Sequence, residues 1–135
     1  MRTSIKKYTN ANADNVVDAD PHQLISIIFK HIISNVAIAK GAITRNEIEN
    51  KGKCITKAIA LVGELQDSLD MEKGGDISTN LFDLYDYVIR ILVQANSEND
   101  IDKLNEVSAL IGEVKEGWDA IPVEKRVKPT DEQTG

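Results

Sequence analysis

Aromatic side chains are scarce in this chain: one Trp, three Tyr and two Phe among 135 residues. Any core must therefore be aliphatic, built from Ile, Leu, Val and Ala. Cysteine occurs once, as Cys54. That excludes an intramolecular disulfide and fits a reducing, cytoplasmic setting. Cations are outnumbered, 16 Lys and Arg against 22 Asp and Glu, for a net charge of −6. A nucleic-acid binder needs clustered Lys and Arg, so no nucleic-acid partner is expected. The opening residues, MRTSIKKYTNANADN, lack the apolar core of a secretory signal. Lys30 and His31 interrupt the longest apolar run, so no membrane insertion is expected either.

The usual chemical constellations are missing too. A bundle di-metal site would need Glu-x-x-His pairs, but Ala19 and Ile28 stand three residues before His22 and His31. Gly52-Lys53 leads into Cys54, with Glu at position 47, so there is no phosphate loop. Gly-x-Ser-x-Gly does not occur, which removes the hydrolase elbow. Cys54 has no histidine near it in sequence and reads as a spectator thiol. No catalytic residue, metal or cofactor is assigned, and the chain does not read as an enzyme.

What is present is helical periodicity. Asp20-Pro21-His22-Gln23 reads as a helix start, with Asp20 as cap, Pro21 at the first position and Gln23 completing a capping box. The spacing predicts a first helix from Pro21 to about Thr44, with Ile28, Ile32, Val36 and Ala39 on its main stripe. Asn46 and Glu49 offer a cap and an N3 acid for a second helix carrying Ile55, Ala58, Ile59, Val62, Leu65 and Leu69. A third, central helix follows Gly74-Gly75-Asp76 and runs to about Asn96. A fourth starts at Asn99 or Asp100, carries Leu104, Val107, Ile111, Val114, Trp118 and Ile121, and stops at Pro122. The fold class expected is all-α, an up-down-up-down antiparallel four-helix bundle over residues 20–122. Residues 1–19 form a flexible N-terminal segment, and 123–135 a disordered tail.

The central helix is apolar on more than one side. Ile77, Leu81, Leu84, Val88, Ile91, Leu92 and Ala95 share one face, while Phe82, Tyr85, Tyr87, Ile89 and Val93 lie largely off it. Such a helix is either surrounded or presents a surface that another chain covers.

Taken in order, the motifs resemble a known family. They are Tyr8 with Val16 or Val17, then Asp20-Pro21-x-x-Leu24-Ile25, Lys51-Gly52-x-x-Ile55-x-Lys57-Ala58, Glu64-Leu65 and Ser68-Leu69-Asp70. The most specific is Gly74-Gly75-Asp76-Ile77-x-x-Asn80-Leu81-x-x-Leu84-Tyr85-x-Tyr87. Ala95-Asn96-x-x-Asn99-Asp100, Glu106-Val107 and Trp118 complete the set. This pattern resembles the flagellin-specific export chaperones of bacterial flagella, the FliS family. Phe29-Lys30-His31 departs from it, where the family tends to have an aromatic, an acid and a glycine.

The resemblance implies a bundle that binds the C-terminal helices of flagellin in the cytoplasm, prevents their premature polymerisation and delivers them to the flagellar export apparatus. It also implies that the N-terminal segment can cover the client surface beforehand. The client-binding candidates are Ile77, Leu81, Phe82, Tyr85, Ile89 and Val93, with Ile5 and Tyr8 from the N-terminal segment. Bundle core is the competing reading for Ile77, Leu81 and Leu84, and Tyr85 and Tyr87 suit either role. The alternative function is an adaptor or regulator binding another amphipathic helix. A monomer or weak homodimer is expected in the absence of client.

Overall fold

The computed structural model describes residues 20–125. Four helices follow in order: α1 (Pro21–Thr44), α2 (Ile48–Asp67), α3 (Gly75–Glu98) and α4 (Ile101–Asp119), with a short 3₁₀ turn at Val123–Lys125. Consecutive helices pack on one another, and α4 closes the ring against α1. Cross-links fix the antiparallel register. Lys40 Nζ donates to Asn105 Oδ1 at 2.9 Å and Ser26 Oγ to Asp119 Oδ1 at 2.6 Å between α1 and α4. Lys51 Nζ donates to the Asn96 carbonyl at 2.8 Å and Gln66 Nε2 to the Phe82 carbonyl at 3.1 Å between α2 and α3. The fold is the expected all-α antiparallel bundle.

Local chemistry explains most of the boundaries. Asp20 Oδ1 accepts from the Gln23 amide at 2.7 Å, and Gln23 Oε1 accepts from the Asp20 amide at 3.2 Å, which completes the capping box. At the α3–α4 corner Asp100 caps α4 by accepting from the Lys103 amide, while Asn99 turns left-handed at φ 53° to end α3. The α1–α2 corner differs from expectation. Asn46 does not cap α2; it sits at φ 59° just past the end of α1, and Glu47 takes the cap position without a side-chain bond. Asparagine tolerates that backbone region, and here a chain reversal uses the tolerance. At the other end, α4 stops at Asp119, two residues short of the expected Ile121. Val123–Lys125 forms a 3₁₀ turn.

The Gly74-Gly75 pair opens α3 for two separate reasons. A side chain at Gly74 would fall 1.7 Å from Ser78 Oγ and 2.9 Å from the Asp70 carbonyl, whereas Gly75 has open space but φ +51°. Ser78 is buried in this turn, so the collision cannot be relieved by swinging into solvent. Gly74→Ala is therefore expected to cost about 1–3 kcal/mol, read as a lower urea midpoint with an unchanged slope.

The core is aliphatic, as composition requires. Ile28, Phe29, Ile32, Val36, Ile55, Val62, Leu65, Val88, Leu92, Leu104, Val107 and Ile111 are buried in one cluster. Burying each of the larger ones contributes about 1.5–3 kcal/mol. Lys51 is also buried, its ammonium satisfying a carbonyl in the last turn of α3, where the helix dipole favours a cation. At the far end His22 and Trp118 clasp α1 to α4. Their rings stack with centroids 4.7 Å apart. Trp118 Nε1 donates to the His22 carbonyl at 2.9 Å, and His22 Nε2 donates to the Trp118 carbonyl at 2.6 Å. The carbonyl acceptor assigns the proton to Nε2.

α1 corrects one expectation. Despite Lys30 and His31, it is long and apolar enough by composition to cross a membrane. In the bundle its inward residues Ile28, Phe29, Ile32, Val36 and Ala39 are core, the pattern a central soluble helix shares with a membrane span. Phe29 is fully enclosed, Lys30 exposed and His31 half-buried. Burial, with Lys57 and Lys30 nearby, holds the His31 imidazole below its ordinary range. Protonation is therefore harder in the fold than in the unfolded chain, and acid costs stability once pH falls below 6.5.

Candidate client-binding surface

Two α2–α3 contacts define a groove. Gln66 lies beside Phe82 and Lys51 beside Asn96, so the antiparallel register brings Ile59 opposite Ile89. Along the α3 edge Phe82, Ile89 and Val93 recur at intervals of seven and four, the spacing of one helix flank. Phe82 is 40% exposed and Val93 53%, with Ile89 half-buried between them. Along the facing edge of α2, Ile48, Gly52, Ile59 and Gly63 follow the same flank. Ile48 is exposed, and a Cβ at either glycine would meet nothing within 4 Å. The groove therefore has apolar banks and two places where backbone lies open to an incoming side chain.

The residues singled out from sequence divide among three environments. Phe82, Ile89 and Val93 are brought together on the groove edge. Leu81 is half-buried against the core, and Ile77 stands 73% exposed in the first turn of α3, beyond the end of α2. Tyr85 is placed in the core, 3% exposed, and burial pushes its hydroxyl up to about 12. It presents no ring to the groove. Tyr87 faces α4 instead, donating to Glu106 Oε2 at 2.5 Å, and that bond raises its phenol above the ordinary value. Ile5 and Tyr8 lie outside the described residues. On the α2 bank, Ile48 and Gly63 were not singled out from sequence. Their signal was available: with Ile59 they sit at helical spacing one flank away from the Ile55–Val62 stripe.

Other exposed apolar side chains are Ile38 on α1, Met71 in the α2–α3 connection and Val123 in the 3₁₀ turn. No cluster of three His, Cys, Asp or Glu able to hold a metal ion occurs among the described residues.

The model of the family described as flagellar protein FliS matches residues 4–125. The chain belongs to the FliS family. Among its relatives is the flagellar secretion chaperone FliSB of Pseudomonas aeruginosa, 44% identical over 119 residues, covering 87% of this chain and 94% of the relative. The flagellar secretion chaperone FliS of Salmonella typhimurium is 39% identical over 121 residues, 88% of this chain and 90% of the relative. The similarity extends to the FliS of Bacillus subtilis, 29% identical over 82% of both chains. The FliS match runs through all four helices, so the α2–α3 groove lies inside the shared part of the chain.

Proposed function

We propose that this protein is a cytoplasmic flagellar export chaperone. It binds the C-terminal helical segment of flagellin, keeps it from polymerising early and hands it to the export apparatus. The observation carrying this reading is the apolar row Phe82, Ile89 and Val93, left exposed beside Ile59 on a bundle whose core is otherwise closed. A groove with anchors at helical intervals is what an amphipathic guest helix requires. Membership of a family whose relatives are named secretion chaperones supports the choice of client. No reaction is assigned.

The proposal includes the N-terminal segment as a weak occupant of the same groove. Its apolar content is small, Ile5 and Tyr8 with Val16 and Val17, and ordering each residue costs about 1–2 kcal/mol. A guest with more anchors displaces it.

Calorimetric titration of the full chain with the flagellin C-terminal segment, with helicity followed by circular dichroism, tests both points. Binding with a gain in helicity is expected, and deletion of residues 1–10 is expected to tighten it. Absence of binding would return the protein to the adaptor reading, in which another amphipathic helix fills the groove. Weaker binding after the deletion would make Tyr8 a client contact.

A further inference from the structure

We infer that the groove selects a guest helix with two large apolar anchors eleven residues apart and a small residue between them. The inference rests on the groove being the client site and names what fits it. Gln66 and Lys51 reach across to the Phe82 and Asn96 carbonyls, and that register sets Ile59 opposite Ile89, midway along the seam. Both isoleucines are half-buried against the core, so the middle of the groove is filled. Gly63 lies four residues after Ile59 and Gly52 seven before it, intervals that keep all three on one flank of α2. A Cβ at either glycine would meet nothing within 4 Å. The same register puts Gly63 within a turn of the level of Phe82, and Gly52 within a turn of Val93. Two hollows therefore flank the filled middle, each with an exposed apolar side chain on its far bank.

The fold itself gives no reason for either glycine. Both lie inside α2, where glycine is the poorest helix former after proline. Neither has the positive φ of Gly75, nor the close approach that Gly74 makes. Gly112 on α4 is equally open and equally half-buried, so openness alone marks no site; α4 has no bank in this groove. What distinguishes Gly52 and Gly63 is the apolar row they face. Between them the α2 axis rises about 16 Å, close to three helical turns. A guest lying along the groove presents residues i and i+11 on one face at that same separation. Its large side chains enter the hollows, as ridges pack into grooves between helices. A guest residue at i+4 or i+7, according to the guest's direction, must be small to pass over Ile59 and Ile89. Shape thus adds discrimination to the affinity that the apolar row supplies.

The experiment titrates the full chain and its Gly52→Leu/Gly63→Leu variant with the flagellin C-terminal segment and with two designed helical peptides of one composition. The first peptide carries Leu at i and i+11 with Ala at i+4 and i+7; the second exchanges the Leu and Ala positions. The full chain is expected to bind the first about tenfold more tightly than the second. The Leu variant is expected to unfold at a higher urea midpoint, because Leu replaces Gly inside a helix. It should nonetheless bind the flagellin segment about tenfold more weakly and lose the preference between the peptides. Gly112→Leu should raise the midpoint likewise and leave affinity unchanged; a loss equal to that of the pair overturns the inference. Equal binding of the two peptides by the full chain overturns it, and so does a lower midpoint in the Leu variant, since the two positions would then not be open. Unchanged or tighter flagellin binding by the Leu variant, alongside a loss in Phe82→Ala/Val93→Ala, overturns the inference and leaves the groove reading intact. Absence of flagellin binding by the unaltered chain overturns the proposed function itself, and the inference with it.

Discussion

Tyr85→Ala is expected to cost about 3–5 kcal/mol of stability, the range for truncating a large aromatic in a core. The side chain is almost fully enclosed and packs in the cluster that contains Val88, Leu92 and Val62. Its loss leaves a cavity that straight helices cannot close. Urea unfolding of the variant and parent measures the difference. Tyr85→Phe separates packing from the hydroxyl. It keeps the ring, so it should cost little at neutral pH and leave flagellin affinity unchanged. In alkali it should help. Burial pushes the Tyr85 hydroxyl from 10.0 to about 12, so the unfolded chain ionises first. The stabilisation from keeping this phenol neutral is complete below pH 10 and declines as pH rises towards about 12. Tyr87, raised by its bond to Glu106, adds a dependence of the same sign. Tyr87→Phe is the control that isolates the buried residue. A Tyr85→Phe variant that loses client affinity, or that unfolds in alkali like its parent, would put the ring at the surface after all.

The placing of Tyr85 shows what periodicity could and could not reveal. The bundle, its four helices and the stripes of α1 and α4 follow from spacing, caps and Pro122, because those signals act within one helix. The facing of α3 depends on what lies across from it. By helical angle Ile77 belongs with the core residues Val88 and Ala95. Yet at that level α2 has already ended at Asp67, and nothing covers the side chain. Ser78, polar and unremarked in the pattern, is buried instead, because the Gly74 turn folds onto it. Asn46 is a similar case. Its sequence preference serves a cap or a left-handed turn equally, and only the reversal between α1 and α2 decides for the turn. The groove was half legible. Phe82, Ile89 and Val93 stood out as surplus apolar residues off the main stripe, but their facing bank needed the α2–α3 register. The burial of Lys51 gave no signal, since a lone lysine on a helix reads as solvated until the Asn96 carbonyl is seen to take it.

Phe82→Ala/Val93→Ala should separate binding from folding. Both side chains are substantially exposed, so truncation removes little that the folded protein alone has buried. The double variant should differ from its parent by about 1 kcal/mol or less in stability. A guest helix seated in the groove would cover both side chains, and Phe82 is the larger anchor. Aromatic anchors are over-represented among interface residues that cost more than 2 kcal/mol when truncated, so the expected loss of flagellin affinity is about tenfold to a hundredfold. Ile38→Ala is the matched control: an exposed aliphatic side chain on α1, away from the α2–α3 edge, whose removal should leave affinity unchanged. If Ile38→Ala weakens binding as much as the groove pair, the guest lies across α1 as well, and the client surface extends beyond one groove. If the pair binds like its parent while remaining folded, the exposed row belongs to some other contact, and the client site must be sought on another face of the bundle.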